Sequence, residues 1–221
     1  MRTTFARSSF RLIQFVILIV FLPFAVVGYV IFVVKLVIFS RRTGTSATVL
    51  ASLYTRYMQH KLGTRPDDPA ERLLAMPSVS PLALHLVTTP TLVSNRVTGQ
   101  APKLYRYPYP GIPIMQHQSA ARTTYYDATL QQHLPDIEQF VMLGAGFDTR
   151  AYRLPKDTHV RCFEVDTPQT QAFKREMLRQ AGVDTAGVIY VPISFQEMTG
   201  SSSCWRPASI PASPAFSPGN P

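Results

Sequence analysis

The 221-residue chain is poor in cysteine and in charged side chains. Its 2 cysteines, Cys162 and Cys204, are too few for a disulfide-rich scaffold or a cysteine-rich zinc module. The 5 histidines are scattered without the spacing of metal ligands, so we predict no metal site. Charged residues make up only 16% of the chain, against roughly 25% in an average soluble domain. This shortfall indicates that part of the chain lies outside an ordinary globular domain.

The shortage of charge is concentrated in a long apolar run near the N-terminus. From Leu12 to Val34 no residue carries a formal charge, and a helix of that length exceeds the roughly 30 Å of a bilayer's hydrocarbon core. The alternatives are a cleaved signal peptide, whose apolar region is usually shorter, and a buried helix of a soluble domain. We predict a retained anchor in residues 1–42, which makes the chain a single-pass membrane protein with membrane lipid as a partner.

Basic residues flank this run on both sides: Arg2, Arg7 and Arg11 precede it, and Lys35, Arg41 and Arg42 follow it. The near balance leaves the orientation open, and a cytoplasmic position of the following domain is the prediction we carry forward. Much of the formal charge of +9 lies in these flanks, where basic residues attract anionic lipid head groups. We expect no nucleic-acid partner, because the chain has no basic stripe with interleaved aromatic residues and no known binding module.

The next part of the chain, residues 43–118, has the pattern of a helical region ending in a connector. Apolar residues recur at helical spacing over 48–62, and Asp67 to Glu71 resemble the capped start of another helix. Three prolines bar a regular helix over 101–113 and predict an extended connector rich in tyrosine; they are Pro108, Pro110 and Pro113. A further helix is predicted over 119–134, with Ser119 as its candidate N-cap.

Two apolar runs after these helices predict neighbouring strands of a parallel sheet. Residues 139–143 run into Gly144-Ala145-Gly146, and residues 160–166 carry Glu164 near their end. Glycine lets the backbone approach a ligand closely, and a carboxylate about 20 residues later accepts hydrogen bonds from ribose hydroxyls. Thr149 occupies the third glycine position of the dinucleotide motif. This favours an adenosine cofactor without phosphates, S-adenosyl-L-methionine, over NAD.

A helix over 169–180 and a third strand over 188–193 continue the alternating pattern. In the helix, Phe173, Met177 and Leu178 are expected to face inward. Lys174, together with Arg175 and Arg179, is expected on a solvated face. Cys162, in the middle of the second strand, is interpreted as a small buried hydrophobe and not as a nucleophile.

Three segments of the chain resemble class I methyltransferases related to the leucine carboxyl methyltransferases, a group that includes bacterial O-methyltransferase-like proteins. They are Ala121-Arg122-Thr123 with Asp127, VMLGAGFDTRAYRL at 141–154 and FEVDTPQTQAFKREML at 163–178. The resemblance implies S-adenosyl-L-methionine as the cofactor and a partial Rossmann-like cofactor-binding domain in residues 119–198.

The resemblance also assigns roles to particular residues. It implies that Arg122 pairs with the methionine carboxylate, that Gly144 and Gly146 line the methionyl and ribose region, and that Glu164 holds the ribose hydroxyls. An acidic residue commonly follows the third strand in the family and contacts the adenine, whereas this chain has Ser194 there, which can still form one hydrogen bond. Asp148 and Arg150 are expected to brace the glycine loop as a hydrogen-bonded pair.

Together these observations predict an α/β chain in which one transmembrane helix and a helical region precede the N-terminal part of a Rossmann-like methyltransferase sheet. The expected reaction is methyl transfer to a carboxylate or hydroxyl of an unidentified acceptor, and no catalytic residue is identified. Residues 199–221, rich in serine and proline, predict a disordered tail where the resemblance leads us to expect further strands. The alternatives are a truncated, non-catalytic membrane fragment and an NAD-linked oxidoreductase.

Overall fold

The structure is a computed structural model that describes residues 2–43, 47–76, 80–106 and 117–193. The three prolines of the predicted connector, Ser194 and the tail at 199–221 lie outside these ranges. What the sequence predicts for them stays a prediction.

Helices come first along the described residues, and strands alternate with a helix after them. The elements are α1 (Arg2–Thr43), α2 (Ala47–Lys61), α3 (Asp68–Leu74), α4 (Pro81–Thr98), α5 (Gln118–His133), β1 (Gln139–Leu143), β2 (Arg161–Asp166), α6 (Pro168–Gln180) and β3 (Val188–Pro192). The predicted helices over 48–62, 119–134 and 169–180 and the three predicted strands are confirmed to within about one residue at each end.

The three strands form one parallel sheet in the order β1-β2-β3. Phe140 of β1 lies opposite Cys162 of β2, and Cys162 lies opposite Val188 of β3. Because the strands run in the same direction, their carboxyl ends lie at one edge of the sheet, where Gly144 and Asp166 are found. The predicted α/β class with a parallel sheet is therefore confirmed.

The hydrophobic core lies where the helical region meets the first part of the sheet. Leu53 and Met58 of α2, Leu73 of α3, Phe147 of the loop after β1 and Leu178 of α6 are almost completely buried in it. The helical region and the sheet therefore share one core, which fixes α2 against the loop that follows β1.

Two helix starts differ in how the backbone is capped. The carboxylate of Asp67 accepts a hydrogen bond from the Ala70 N–H at 3.2 Å, which confirms the capped start of α3. The prediction that Ser119 caps α5 is wrong, because the helix already begins at Gln118. The Ser119 hydroxyl instead donates to the hydroxyl of Thr55 at 3.0 Å and links α5 to α2.

Helix α1 is a single 42-residue helix that continues through Pro23. Its stretch Leu12–Ile38 is long and apolar enough to cross a membrane, by length and composition. From Gly28 onward this stretch packs on the domain: a Cβ at Gly28 would lie 2.5 Å from the Leu86 Cβ of α4, and the Phe32 ring lies 6.3 Å from the Tyr54 ring of α2. Before Gly28, about 16 residues, or roughly 24 Å of helix, expose most of their apolar side chains, and after Gly28 the face turned away from the domain stays exposed, with Val30 at 55% and Val34 at 51%.

Candidate functional site

A cavity of about 820 Å³ lies at the carboxyl end of β1. Its walls come from α2, from α5 and from the loop that follows β1. Arg122, Gly144 and Gly146, all predicted site residues, line this one cavity. Its volume falls within the range of roughly 300–1,000 Å³ that is usual for cofactor pockets.

The two glycines are needed for the shape of the loop. Gly144 has φ +61° and Gly146 has φ +47°, a left-handed conformation that residues with a Cβ rarely adopt. The loop is tied to the neighbouring strand because the N–H groups of Gly144 and Ala145 both donate to the Val165 carbonyl, at 2.8 Å and 3.2 Å. The turn therefore leaves glycine backbone, without side chains, along the cavity wall.

Arg122 is the exposed cation of the cavity. It lies on α5, and its guanidinium carbon is 5.7 Å from the centre of the Tyr126 ring. The ion pairs formed among the described residues do not include Arg122, in contrast to Arg56 and Arg150 of the same cavity. A guanidinium in this state is suited to bind a ligand carboxylate through two parallel hydrogen bonds.

Glu164 does not line this cavity. It is fully buried on β2, where the Lys174 ammonium lies 2.7 Å from each of its oxygens and the Tyr152 hydroxyl donates to Oε1 at 2.8 Å. Burial raises the pKa of Glu164, although Lys174 opposes this effect. The expectation that Lys174 lies on a solvated face is wrong, because its side chain is only 1% exposed. The lysine also donates to the Asp148 carbonyl at 2.7 Å and so joins α6, β2 and the glycine loop.

Asp166 is the carboxylate that follows two residues later on the same strand, and the sequence prediction passed over it. Its Oδ2 accepts a hydrogen bond from the Gly146 N–H at 2.6 Å, and its Oδ1 accepts one from the Thr167 N–H at 2.7 Å. Asp166 does not line the cavity itself, but it is partly exposed, unlike Glu164, and its partner Gly146 belongs to the cavity wall. The signal that could have found it is its spacing, about 20 residues after Gly146, which matches that of Glu164 after Gly144.

The loop after β1 is braced by charged side chains, as the sequence predicted for Asp148 and Arg150. The Arg150 N–H donates to Asp148 Oδ1 at 2.9 Å, and the Arg150 guanidinium pairs with Oδ2. Arg56 of α2 reaches the same oxygen at 2.6 Å. Burial favours the neutral form of Asp148, but Arg56 and Arg150 outweigh it and hold the pKa of Asp148 below its usual value.

A second acidic residue, Asp127 of α5, extends this network. It pairs with Arg150 at 2.7 Å, with Arg153 at 2.9 Å and with Arg65. Burial opposes its ionisation, yet the pKa of Asp127 is lowered because these three arginines more than compensate. Since Arg122 lies on the same helix, the network fixes the position of Arg122 relative to the glycine loop.

The described part of the chain offers neither a reactive thiol nor a metal-binding group near this cavity. Cys162 is a free thiol that is 2% exposed, and burial raises its pKa to about 11, which confirms its interpretation as a buried hydrophobe. Within the same residues, no three His, Cys, Asp or Glu side chains come together in a way that would hold a metal ion.

Comparisons with known proteins agree on one kind of chemistry. A family model described as leucine carboxyl methyltransferase matches residues 67–202. Three curated relatives are assigned by name to the S-adenosyl-L-methionine-dependent methyltransferases. One from Mycolicibacterium gilvum is 45% identical over 75 residues, which are 34% of this chain and 30% of that protein. One from Mycolicibacterium smegmatis is 37% identical over 89 residues, 39% of this chain and 30% of that protein.

The third, from Frankia alni, is 40% identical over 78 residues, which are 34% of this chain and 27% of that protein. The matched stretches therefore span less than a third of the length of these relatives.

Proposed function

Because the chain belongs to the leucine carboxyl methyltransferase family, we propose that it binds S-adenosyl-L-methionine at the carboxyl end of β1 and transfers the methyl group to an oxygen of an acceptor. The observation that carries this proposal is that Arg122, Gly144 and Gly146 line one cavity of about 820 Å³. The parallel order β1-β2-β3 supports a Rossmann-like methyltransferase sheet, in which ligands bind beyond the carboxyl ends of the strands.

The cavity residues fit a ligand with one carboxylate and no phosphate. Arg122 is the proposed partner of the methionine carboxylate, because it has no acidic partner among the described residues and faces the cavity. Gly144 and Gly146 are proposed to line the methionyl and ribose region, where the lack of a Cβ permits close approach. The dinucleotide motif needs a third glycine for close packing of its helix on the strand, and Thr149 occupies that position here.

We assign the ribose hydroxyls to Asp166 in place of Glu164. A carboxylate offers about four lone-pair sites, and Asp166 uses two of them in its backbone hydrogen bonds. Both oxygens of Glu164 are engaged by Lys174, and one also accepts from Tyr152. Glu164 is instead proposed as a positioning residue that holds Lys174 under the loop. Ser194 remains the proposed adenine contact, since it follows β3, whose Pro192 lies opposite Asp166.

The chemistry of the transfer favours a carboxylate as the acceptor. The bound cofactor would supply a methyl group activated by its sulfonium: an acceptor oxygen gains this methyl group as the carbon–sulfur bond breaks, and the electron pair of that bond stays on sulfur. A hydroxyl acceptor must also lose a proton to a base. Among the described residues that line the cavity, Asp148 is the sole acid, and it is held as a paired anion by Arg56 and Arg150. A carboxylate acceptor needs no base.

We further propose that α1 anchors the domain on a membrane as a single pass. Support comes from the exposed apolar surface of its first half, where for example Val16 is 52% and Val20 is 58% exposed; surfaces of this kind mark membrane or protein contacts. Each arginine at the centre of a membrane helix costs about 2.5–3.5 kcal/mol. We expect the full chain with Val16→Arg and Val20→Arg to lose most of its flotation with phospholipid vesicles, and unchanged flotation would contradict the anchor.

Photolabelling tests the cofactor proposal because it identifies the peptides that contact S-adenosyl-L-methionine. The full-length chain in detergent is irradiated with S-adenosyl-L-methionine that carries a tritiated methyl group, and labelled peptides are mapped. We expect label in the peptides of residues 118–127 or 139–153, with protection by S-adenosylhomocysteine and no protection by NADH. Label elsewhere, or protection by NADH instead, would contradict the proposal. A transfer assay with carboxylate acceptors then separates an enzyme from a protein that binds the cofactor without transferring the methyl group.

A further inference from the structure

A second cavity, of about 390 Å³, lies beside the first one. Ala51 and Thr55 of α2 line both cavities, so one turn of that helix separates them. The opposite wall of the second cavity includes Tyr29 and Phe32, which belong to the apolar stretch of α1. The cavity therefore lies between the proposed membrane helix and the proposed cofactor site.

The walls of this second cavity are apolar. Apart from Thr55, every lining side chain is aliphatic or aromatic, and no Lys, Arg, His, Asp or Glu of the described residues lines it. The Thr55 hydroxyl donates to the Ala51 carbonyl at 3.3 Å and accepts from Ser119 at 3.0 Å. The hydroxyl of Thr55 is thus satisfied within the protein, and the aliphatic and aromatic walls leave a cavity that suits a hydrocarbon chain.

The proposed cofactor cavity has the opposite character. Three arginines line it against a single acid, Asp148. With Arg122 assigned to the methionine carboxylate, Arg56 and Arg150 still outnumber Asp148. A molecule that occupied both cavities would therefore need an anionic head and an apolar chain. An amphiphile drawn from a bilayer has both parts, and it would meet the second cavity at Tyr29 and Phe32 of α1.

We propose that the second cavity holds the apolar chain of the methyl acceptor, and that this acceptor is a long-chain carboxylate amphiphile taken from the membrane. The proposal rests on the proposed methyltransferase function and adds the substrate class to it. Ala51 and Thr55 mark the point where the chain passes from the apolar cavity towards the cofactor cavity. A soluble acceptor, such as a peptide with a free carboxyl terminus, is the competing occupant that the test must distinguish.

The test uses the full-length chain in phosphatidylcholine vesicles that contain palmitate with a diazirine at its terminal carbon. After irradiation in the presence of S-adenosylhomocysteine, adducts are mapped by mass spectrometry. We expect adducts on residues that line only the second cavity, Leu84 and Val87 of α4 and Leu104, reduced by excess unlabelled palmitate.

The chain offers a matched pair of variants. Leu104 lines the second cavity and is 37% exposed, so Leu104→Asp places a charge at its edge without disturbing the core. Val97 on α4 is 55% exposed and lines neither cavity, so Val97→Asp is the control. Because a charge is poorly tolerated against a hydrocarbon chain, we expect Leu104→Asp to reduce the adducts by about fivefold or more. Val97→Asp should leave them unchanged.

Adducts confined to residues 12–27 of α1, or cavity adducts that Leu104→Asp does not reduce, would overturn the proposal. Binding of S-adenosylhomocysteine, measured on the same vesicles, separates this failure from failure of the proposed function. If the cofactor product binds and cavity adducts are absent, the membrane acceptor is wrong and a soluble acceptor is favoured. If cavity adducts form but S-adenosylhomocysteine does not bind, the proposed methyltransferase function is wrong. The assignment of the amphiphile as a methyl acceptor is then wrong as well.

Discussion

Lys174 and Glu164 form an ion pair that is closed off from solvent beneath the glycine loop. The lysine Nζ lies 2.7 Å from both carboxylate oxygens, and neither side chain is more than 1% exposed. Because Lys174 also donates to the Asp148 carbonyl, the pair connects helix α6, strand β2 and the loop after β1. The loop conformation therefore depends on a buried charge that must stay paired.

Replacing one partner of this pair should lower the free energy of unfolding far more than replacing both partners. Lys174→Met leaves the Glu164 carboxylate buried and unpaired, and we expect a loss of about 3–5 kcal/mol in the free energy of unfolding. The double variant Lys174→Met, Glu164→Gln removes both charges and should recover most of that loss. Denaturant unfolding followed by circular dichroism measures both. A single variant as stable as the wild type would contradict the enclosed pair.

Replacing the partly exposed Asp166 should weaken cofactor binding. Asp166→Asn removes the negative charge opposite the proposed ribose hydroxyls, and hydrogen bonds to charged groups contribute roughly 1.5–3 kcal/mol. We therefore expect at least about tenfold weaker binding of S-adenosylhomocysteine. Asp184 is the control, since it also accepts from a nearby backbone N–H, but its partner is Ala186, at 3.0 Å, whereas the partner of Asp166 is Gly146 of the cavity wall. If Asp166→Asn and Asp184→Asn bind S-adenosylhomocysteine equally well, Asp166 does not hold the ribose hydroxyls.

Alanine substitutions at two glycines with the same backbone conformation distinguish the cost of backbone strain from the loss of a ligand contact. Gly144 has φ +61° and Gly182 has φ +63°, and a Cβ at either position would meet nothing within 4 Å. Alanine at either position should therefore cost a similar, small amount of stability, about 1 kcal/mol, from the left-handed backbone alone. Only Gly144→Ala should also weaken binding of S-adenosylhomocysteine, because Gly144 alone of the two lines the cavity. Equal binding by both variants would show that the loop does not contact the ligand.

Because two aspartates are paired with arginines, we expect the fold to lose stability at low pH. The folded-state pKa values of Asp127 and Asp148 are lowered by their arginine partners against the opposing effect of burial. A carboxylate with a lowered pKa stabilises the fold above its unfolded pKa of about 3.9, and this contribution is lost as the pH falls through the folded value. We expect the midpoint of thermal unfolding to drop steeply below about pH 4. In Asp127→Asn the midpoint should be lower at pH 7, and its fall below pH 4 should be shallower.

Local patterns predicted most of the secondary structure, and the exceptions have physical reasons. Helix α4 was predicted only as part of the helical region over 43–118, without bounds of its own, because Pro90 lies within it and β-branched residues are frequent along it. The sheet was predictable because β1 and β2 are short apolar runs that end at glycine or acidic residues. Its parallel pairing followed from the intervening turn and helix.

Lys174 shows why charge alone misleads about burial. Helix α6 buries Thr170, Gln171, Lys174, Met177 and Leu178, which are spaced as one face of a helix. The periodicity thus includes Lys174 in the buried face, but its partner Glu164 is on β2, and no local pattern reports that contact. The same contact decides between Glu164 and Asp166, which lie two residues apart and so point to the same side of the strand.

The central claim is that the cavity at the carboxyl end of β1 binds the cofactor, and calorimetric titration of S-adenosylhomocysteine into the full-length chain in detergent tests it most directly. We predict saturable binding that weakens at least about tenfold in Arg122→Ala, because a charge-assisted pair with the carboxylate is lost. Arg175→Ala should bind like the wild type, since Arg175 also lies over a tyrosine ring, that of Tyr190, but not in the cavity. A folded sample that does not bind, or whose binding is unchanged in Arg122→Ala, would contradict the proposed cofactor site.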